Sequence, residues 1–91
     1  MWKIRWTPKA RKAAGKLPLP VQGAVWLLIG DLEMKGPIAG NWPNYSKLGG
    51  NKHHCHVKKG RPTYVVVWWV VREETKLIEV TYVGTHEKAP Y

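Results

Sequence analysis

Three histidines and the single cysteine of this 91-residue chain stand together as His53-His54-Cys55-His56, and the fourth histidine, His86, lies close to the final residue, Tyr91. Period-two alternation predicts a strand over Lys52 to Lys58. On it His54 and His56 share one face with Lys52 and Lys58, while His53, Cys55 and Val57 take the other. Imidazoles titrate near neutral pH, and two of them among fixed cations can move a proton beside a developing negative charge. Cleavage of a phosphodiester needs those parts. Two other readings compete: a purely structural histidine pair, and a zinc site. Zinc wants ligands that converge from one side, which adjacent strand residues do not supply. Cys55, on the face opposite His54, reads as a small buried hydrophobe.

Arg61 follows a turn glycine and precedes Pro62, so its guanidinium leaves a hairpin beside the His54/His56 strand. There it is placed to grip phosphate through a bidentate fork; a solvated turn residue is the plainer reading. Near the end of the chain, Tyr91 offers a ring on which a base can stack, and His86 a second route to the same phosphate. A frayed tail is the competing expectation there.

Charge supports an anionic partner. Fifteen Lys and Arg against six Asp and Glu give a net charge of +9. The distribution is one-sided: residues 1–30 hold Lys3, Arg5, Lys9, Arg11, Lys12 and Lys16 with no acid. Residues 34–72 hold Lys35, Lys47, Lys52, Lys58, Lys59, Arg61 and Arg72, again with none. A surface kept merely soluble interleaves both signs, so nucleic acid, an anionic membrane or an acidic protein is the expected partner. One cysteine allows no internal disulfide, and the apolar runs Ala24 to Ile29 and Val65 to Val71 fall far short of the ~20 residues that span a bilayer. Without a signal-peptide pattern at the start, the expectation is a cytoplasmic, soluble protein of one domain, residues 1–91.

These side chains must be positioned by few elements. Trp2, Ile4 and Trp6 alternate with Lys3 and Arg5 in a first strand, Trp2 to Thr7. Thr7 as N-cap and Pro8 at the first helical position open a short basic helix with Ala10, Ala13 and Ala14 inward. Proline closes it at Leu17-Pro18-Leu19-Pro20. Val21, Val25, Leu28 and Leu32, with Ala24 and Ile29, form the stripe of a second helix from about Pro20 to Met34. Residues 36–51, rich in Gly and Pro, read as a loop anchored by Trp42 and Tyr45. A three-stranded antiparallel meander follows: Lys52 to Lys58, Thr63 to Arg72, and Leu77 to Val83. Its middle strand is apolar throughout Val65 to Val71 and therefore central. In the last strand Ile78, Val80 and Tyr82 share a face. The class is α+β.

This order of elements resembles the RelE/ParE toxin superfamily of bacterial toxin-antitoxin systems. So do Pro43-Asn-Tyr-Ser-Lys-Leu48, His54-Cys-His-Val-Lys-Lys-Gly-Arg-Pro-Thr-Tyr-Val66 and Tyr82-Val-Gly-Thr-His-Glu-Lys-Ala-Pro-Tyr91. The resemblance implies a RelE-like microbial RNase fold and a ribosome-dependent mRNA endonuclease that works without metal or other cofactor. In that chemistry the ribose 2′-hydroxyl attacks its own phosphate and leaves a cyclic phosphate. It also implies catalytic roles for His54, His56, Arg61, His86 and Tyr91, and RNA contacts from Lys47, Lys52, Lys58 and Lys59. Histidine replaces lysine or arginine at several of these places. The implied partners are the ribosome with its mRNA and an acidic antitoxin. ParE-type members share the fold but inhibit DNA gyrase and lack this constellation; a gyrase inhibitor or a non-enzymatic basic nucleic-acid-binding module is the alternative.

Overall fold

The computed structural model of the chain describes residues 1–58 and 60–91. β1 (Lys3–Trp6) leads into α1 (Pro8–Ala14) and α2 (Leu19–Lys35), and β2 (Ser46–Gly49), β3 (Lys52–Lys58), β4 (Tyr64–Arg72) and β5 (Leu77–Thr85) follow. A 3-10 turn, η1 (His86–Lys88), carries the end of the chain. The sheet order is β1-β5-β4-β3-β2, with β1 parallel to β5 and every other pair antiparallel. β4 is thus the central strand its unbroken apolar run required.

The helices start where local chemistry directs. Thr7 accepts a hydrogen bond from the Ala10 amide at 3.1 Å, satisfying one of the orphan donors of α1, with Pro8 next to it. α2 runs one residue beyond its expected ends on each side and buries Val21, Val25, Leu28, Ile29 and Leu32 against the sheet. Its stop at Gly36 is enforced twice. The residue has φ +94, and a Cβ there would lie 2.9 Å from the Trp2 indole nitrogen. The helix-side core also takes in Cys55, Val66, Trp68, Ile78, Val80 and Val83.

Two features depart from the expected pattern. The Gly/Pro segment contains a fourth antiparallel strand, β2, where a loop was expected, so among the described residues the sheet has five strands rather than an N-terminal strand plus three. Ser46-Lys47-Leu48-Gly49 is too short to show a period; it becomes a strand because the edge of β3 offers unpaired backbone groups. The second departure is in β5. An irregularity opposite Val67/Trp68 lets Tyr82 pair with Val67 and Val80 with Trp68, leaving Thr81 over. The phase slips there. Ile78 and Val80 face the core as expected, whereas Tyr82 turns to the opposite face and Val83 takes the core position. As the aromatic anchors of the 36–45 segment, Trp42 donates to the Asp31 carboxylate at 2.8 Å and the Tyr45 hydroxyl meets His53 Nδ1 at 2.7 Å.

Candidate active site

β3 sorts its chemistry between two environments. His53 points to the helix side, where its ring lies parallel to buried Trp68 at 5.9 Å and its Nδ1 is hydrogen-bonded to the Tyr45 hydroxyl. Burial and the Lys47 charge beside it push its pKa below the ordinary histidine value, so it is a neutral core group. Cys55 is fully buried on the same side, and burial pushes its thiol up to about 12, which leaves no thiolate to act as nucleophile.

His54 and His56 stand on the other, open face of the sheet. The ring centroids are 6.0 Å apart for His54 and His56, and 5.3 Å for His56 and His86. Tyr91 closes the group, 4.6 Å from His54 and 6.0 Å from His86. Four of the five expected catalytic side chains, drawn from β3, η1 and the chain end, therefore meet in one cluster. Two hydrogen bonds hold the tail in place: the His86 amide donates to the Thr63 carbonyl at 2.8 Å, and Lys52 Nζ to the Pro90 carbonyl at 3.4 Å. Arg61 meets this group at His86. It lines an open cavity of about 640 Å³ with Thr63, Thr85, His86 and Glu87, so His86 belongs to both the cluster and the cavity.

The expected lysines do not stay together. Lys52 remains on the histidine face, where it secures the tail. Lys47 pairs with His53 and so belongs to the helix-side face. A bulge after His56 pairs Lys58 with Tyr64, out of phase with Lys52, His54 and His56. Lys59 lies outside the described residues.

Ser46 and Tyr82 complete the site and went unread in the sequence. Ser46 stands opposite His54 across β2 and β3. Its hydroxyl lies 3.0 Å and its carbonyl 3.4 Å from His54 Nδ1. The carbonyl only accepts, so the tautomer that uses both contacts is the one with the proton on Nδ1, which leaves the lone pair on Nε2. Burial, partly offset by the Ser46 carbonyl and reinforced by His86, holds the His54 pKa below the usual value. Tyr82 lies over Gly84, where a Cβ would come within 2.7 Å of its hydroxyl, and it donates to the Thr85 carbonyl at 2.8 Å. Burial, then the neighbouring Tyr82 and Cys55, keep the Tyr91 phenol above its ordinary pKa and hence protonated. No group of three His, Cys, Asp or Glu side chains among the described residues is arranged to hold a metal ion.

Two solved structures share this architecture along nearly its whole length. A chain of the archaeal RelE-RelB complex from Pyrococcus horikoshii OT3 superposes with a TM-score of 0.64 at 13% identity, covering 97% of this chain and 98% of that one. The protein has the RelE-like fold. A metal-bound toxin from Helicobacter pylori matches equally, with a TM-score of 0.64, 19% identity and the same shares of both chains. No protein-family model and no curated protein matches the sequence. Within the RelE-like fold, the open sheet face of this chain carries the histidine cluster, and the helices cover the opposite face.

Proposed function

We propose that the protein is the toxin of a type II toxin-antitoxin pair and a ribosome-dependent mRNA endonuclease. The reading rests above all on one observation: His54, His56, His86 and Tyr91, from three separate segments, converge on the open face beside the cavity lined by Arg61. A neutral His54 with a free Nε2 lone pair suits a general base. It takes the 2′-hydroxyl proton as that oxygen attacks the adjacent phosphorus. Arg61 offsets the charge that builds on the phosphate oxygens. His86 gives a proton to the departing 5′ oxygen, so the products are a 2′,3′-cyclic phosphate and a free 5′-hydroxyl. Tyr91, protonated and half-exposed, stacks on a base and orients it. This sequence of proton transfers needs no metal.

An acidic antitoxin is the proposed protein partner. The neighbour from Pyrococcus horikoshii is a RelE-RelB complex, and this chain exposes a surface that suits such a companion. Leu19, Trp26, Leu27 and Met34 project from the outer side of α2 and are each more than half exposed. Spacings of seven and eight put them on one stripe, and Arg11 of α1 lines a shared pocket with Trp26. An amphipathic acidic segment satisfies both its apolar and its charged character.

The deciding experiment expresses the protein in growing bacteria and reads mRNA integrity and DNA supercoiling separately. Cleaved mRNA with normal supercoiling is expected. Relaxed DNA with intact mRNA would overturn the nuclease reading in favour of a gyrase inhibitor.

A further inference from the structure

The open face continues beyond the histidines. Lys52 stands opposite Trp69, His54 opposite Val67 and His56 opposite Val65, three rows spaced by two residues, or ~6.8 Å, along the strands. Val65 and Val67 are fully buried outside the helix-side core, whereas Trp69 is 41% exposed. An indole left 41% exposed on the central strand is a large rigid π surface. Its row is also electrostatically prepared. Lys52 Nζ lies 5.5 Å from the Trp69 ring centroid. On the other side β5 sets Glu79 opposite Trp69, and Arg5 from β1 binds that carboxylate at 2.9 Å. The one acid in the row is thus neutralised.

A π face beside an ammonium group, with no uncompensated acid, is what a nucleotide of a single strand recognises: the base stacks and the phosphate meets the cation. The distance matters as well. The Lys52/Trp69 row is adjacent to the His54 row, one ~6.8 Å spacing away, which is about one step along an extended single-stranded backbone. We propose that Trp69, with Lys52 beside it, is a stacking subsite for the base next to the scissile phosphate of single-stranded RNA. This rests on the nuclease reading of the His54 cluster and adds to it a residue that holds the substrate outside the reacting atoms.

The test is single-turnover cleavage on mRNA-programmed ribosomes, with toxin concentration varied, for wild type, Trp69→Phe, Trp69→Ala and His54→Ala. Stacking on an aromatic side chain corresponds to about a 5- to 150-fold effect per base. Trp69→Ala should therefore raise the half-saturating concentration by that range and leave the maximal rate far less changed, and Trp69→Phe should recover most of the loss. An abasic nucleotide next to the cleavage point should weaken wild type and add nothing to Trp69→Ala. Should the alanine variant not fold, the abasic series on wild type and Trp69→Phe decides: indifference to every abasic position overturns the subsite. Wild-type concentration dependence in Trp69→Ala, with His54→Ala inactive, overturns the subsite and leaves the nuclease standing. A wild type that cuts no mRNA overturns both. Unchanged cleavage with lost binding of the antitoxin would assign Trp69 to a protein contact instead.

Discussion

At the scale of single residues, the proposed chemistry turns on the protonation of His54 and the charge of Arg61. The His54 pKa lies below its ordinary value because burial outweighs the Ser46 carbonyl. As pH falls through that lowered pKa the imidazole gains a proton and loses its capacity as a base. Cleavage should therefore hold through pH ~6.5, the ordinary histidine value, and decline only below it. Single-turnover rates from pH 5 to 8 check this; a decline already complete by pH 7 would exclude His54 as the base. Arg61 is exposed and stands in no packed interior. Arg61→Ala should raise the cleavage barrier by ~2.7–4 kcal/mol, as loss of a preorganised charge donor does, with the unfolding midpoint nearly unchanged. Equal cleavage by wild type and variant would remove Arg61 from the mechanism.

At the scale of elements, α2 shows how one substitution changes sign with its surroundings. Gly23 faces open space, so Gly23→Ala meets no atom within 4 Å and gains the helix propensity glycine lacks. It should stabilise by about 1 kcal/mol and raise Tm by about 4–8 °C. Gly36→Ala should do the reverse. Its φ of +94 and the Trp2 ring 2.9 Å from the new Cβ combine strain with a clash, and thermal melts of both variants test the pair. β2 and the slip in β5 belong to this scale too. The first delivers Ser46 to His54, and the second brings Tyr82 to the histidine face.

For the whole molecule, two buried histidines couple stability to pH. Burial lowers the pKa of both His53 and His54. The unfolded chain then binds more protons than the folded one once pH drops below ~6.5, so stability is lost as pH falls through that value. Urea unfolding at pH 7.5 and pH 5 should show a lower midpoint at pH 5, and the drop should shrink in His53→Asn. A flat profile would mean that neither histidine is held neutral by the fold. The net charge of +9 acts at the same scale. Association with an acidic antitoxin should weaken as salt rises, and Trp26→Asp on the exposed α2 stripe should weaken it further while leaving mRNA cleavage intact. Titration of the two proteins against salt, with cleavage measured in parallel, checks both statements.

Much of this was legible without coordinates, for local reasons. Thr7-Pro8 is a helix start that needs only local partners, and the Val21/Val25/Leu28/Leu32 spacing calls for one buried face. The apolar run Val65 to Val71 marks the central strand, which is covered on both sides from Val65 to Trp68 but leaves Trp69 and Val71 exposed, where a full cover was expected. Alternation alone divided His54 and His56 from His53 and Cys55, because side chains in a strand take opposite faces in turn. Convergence was a different matter. Whether η1 and Tyr91 return to β3 depends on the pairing of β4 with both neighbours and on the bonds from Lys52 and Thr63, which join residues far apart in the chain. The dispersal of Lys47, Lys52 and Lys58 likewise follows from a bulge and an edge pairing. Both are set by the backbone groups of a neighbouring strand, and a one-residue change of register moves a side chain across the sheet. The sequence by itself determined the elements and the kinds of chemistry they carry. Only the tertiary structure decided which groups meet, because strand pairing and its irregularities depend on partners that no local stretch of sequence contains.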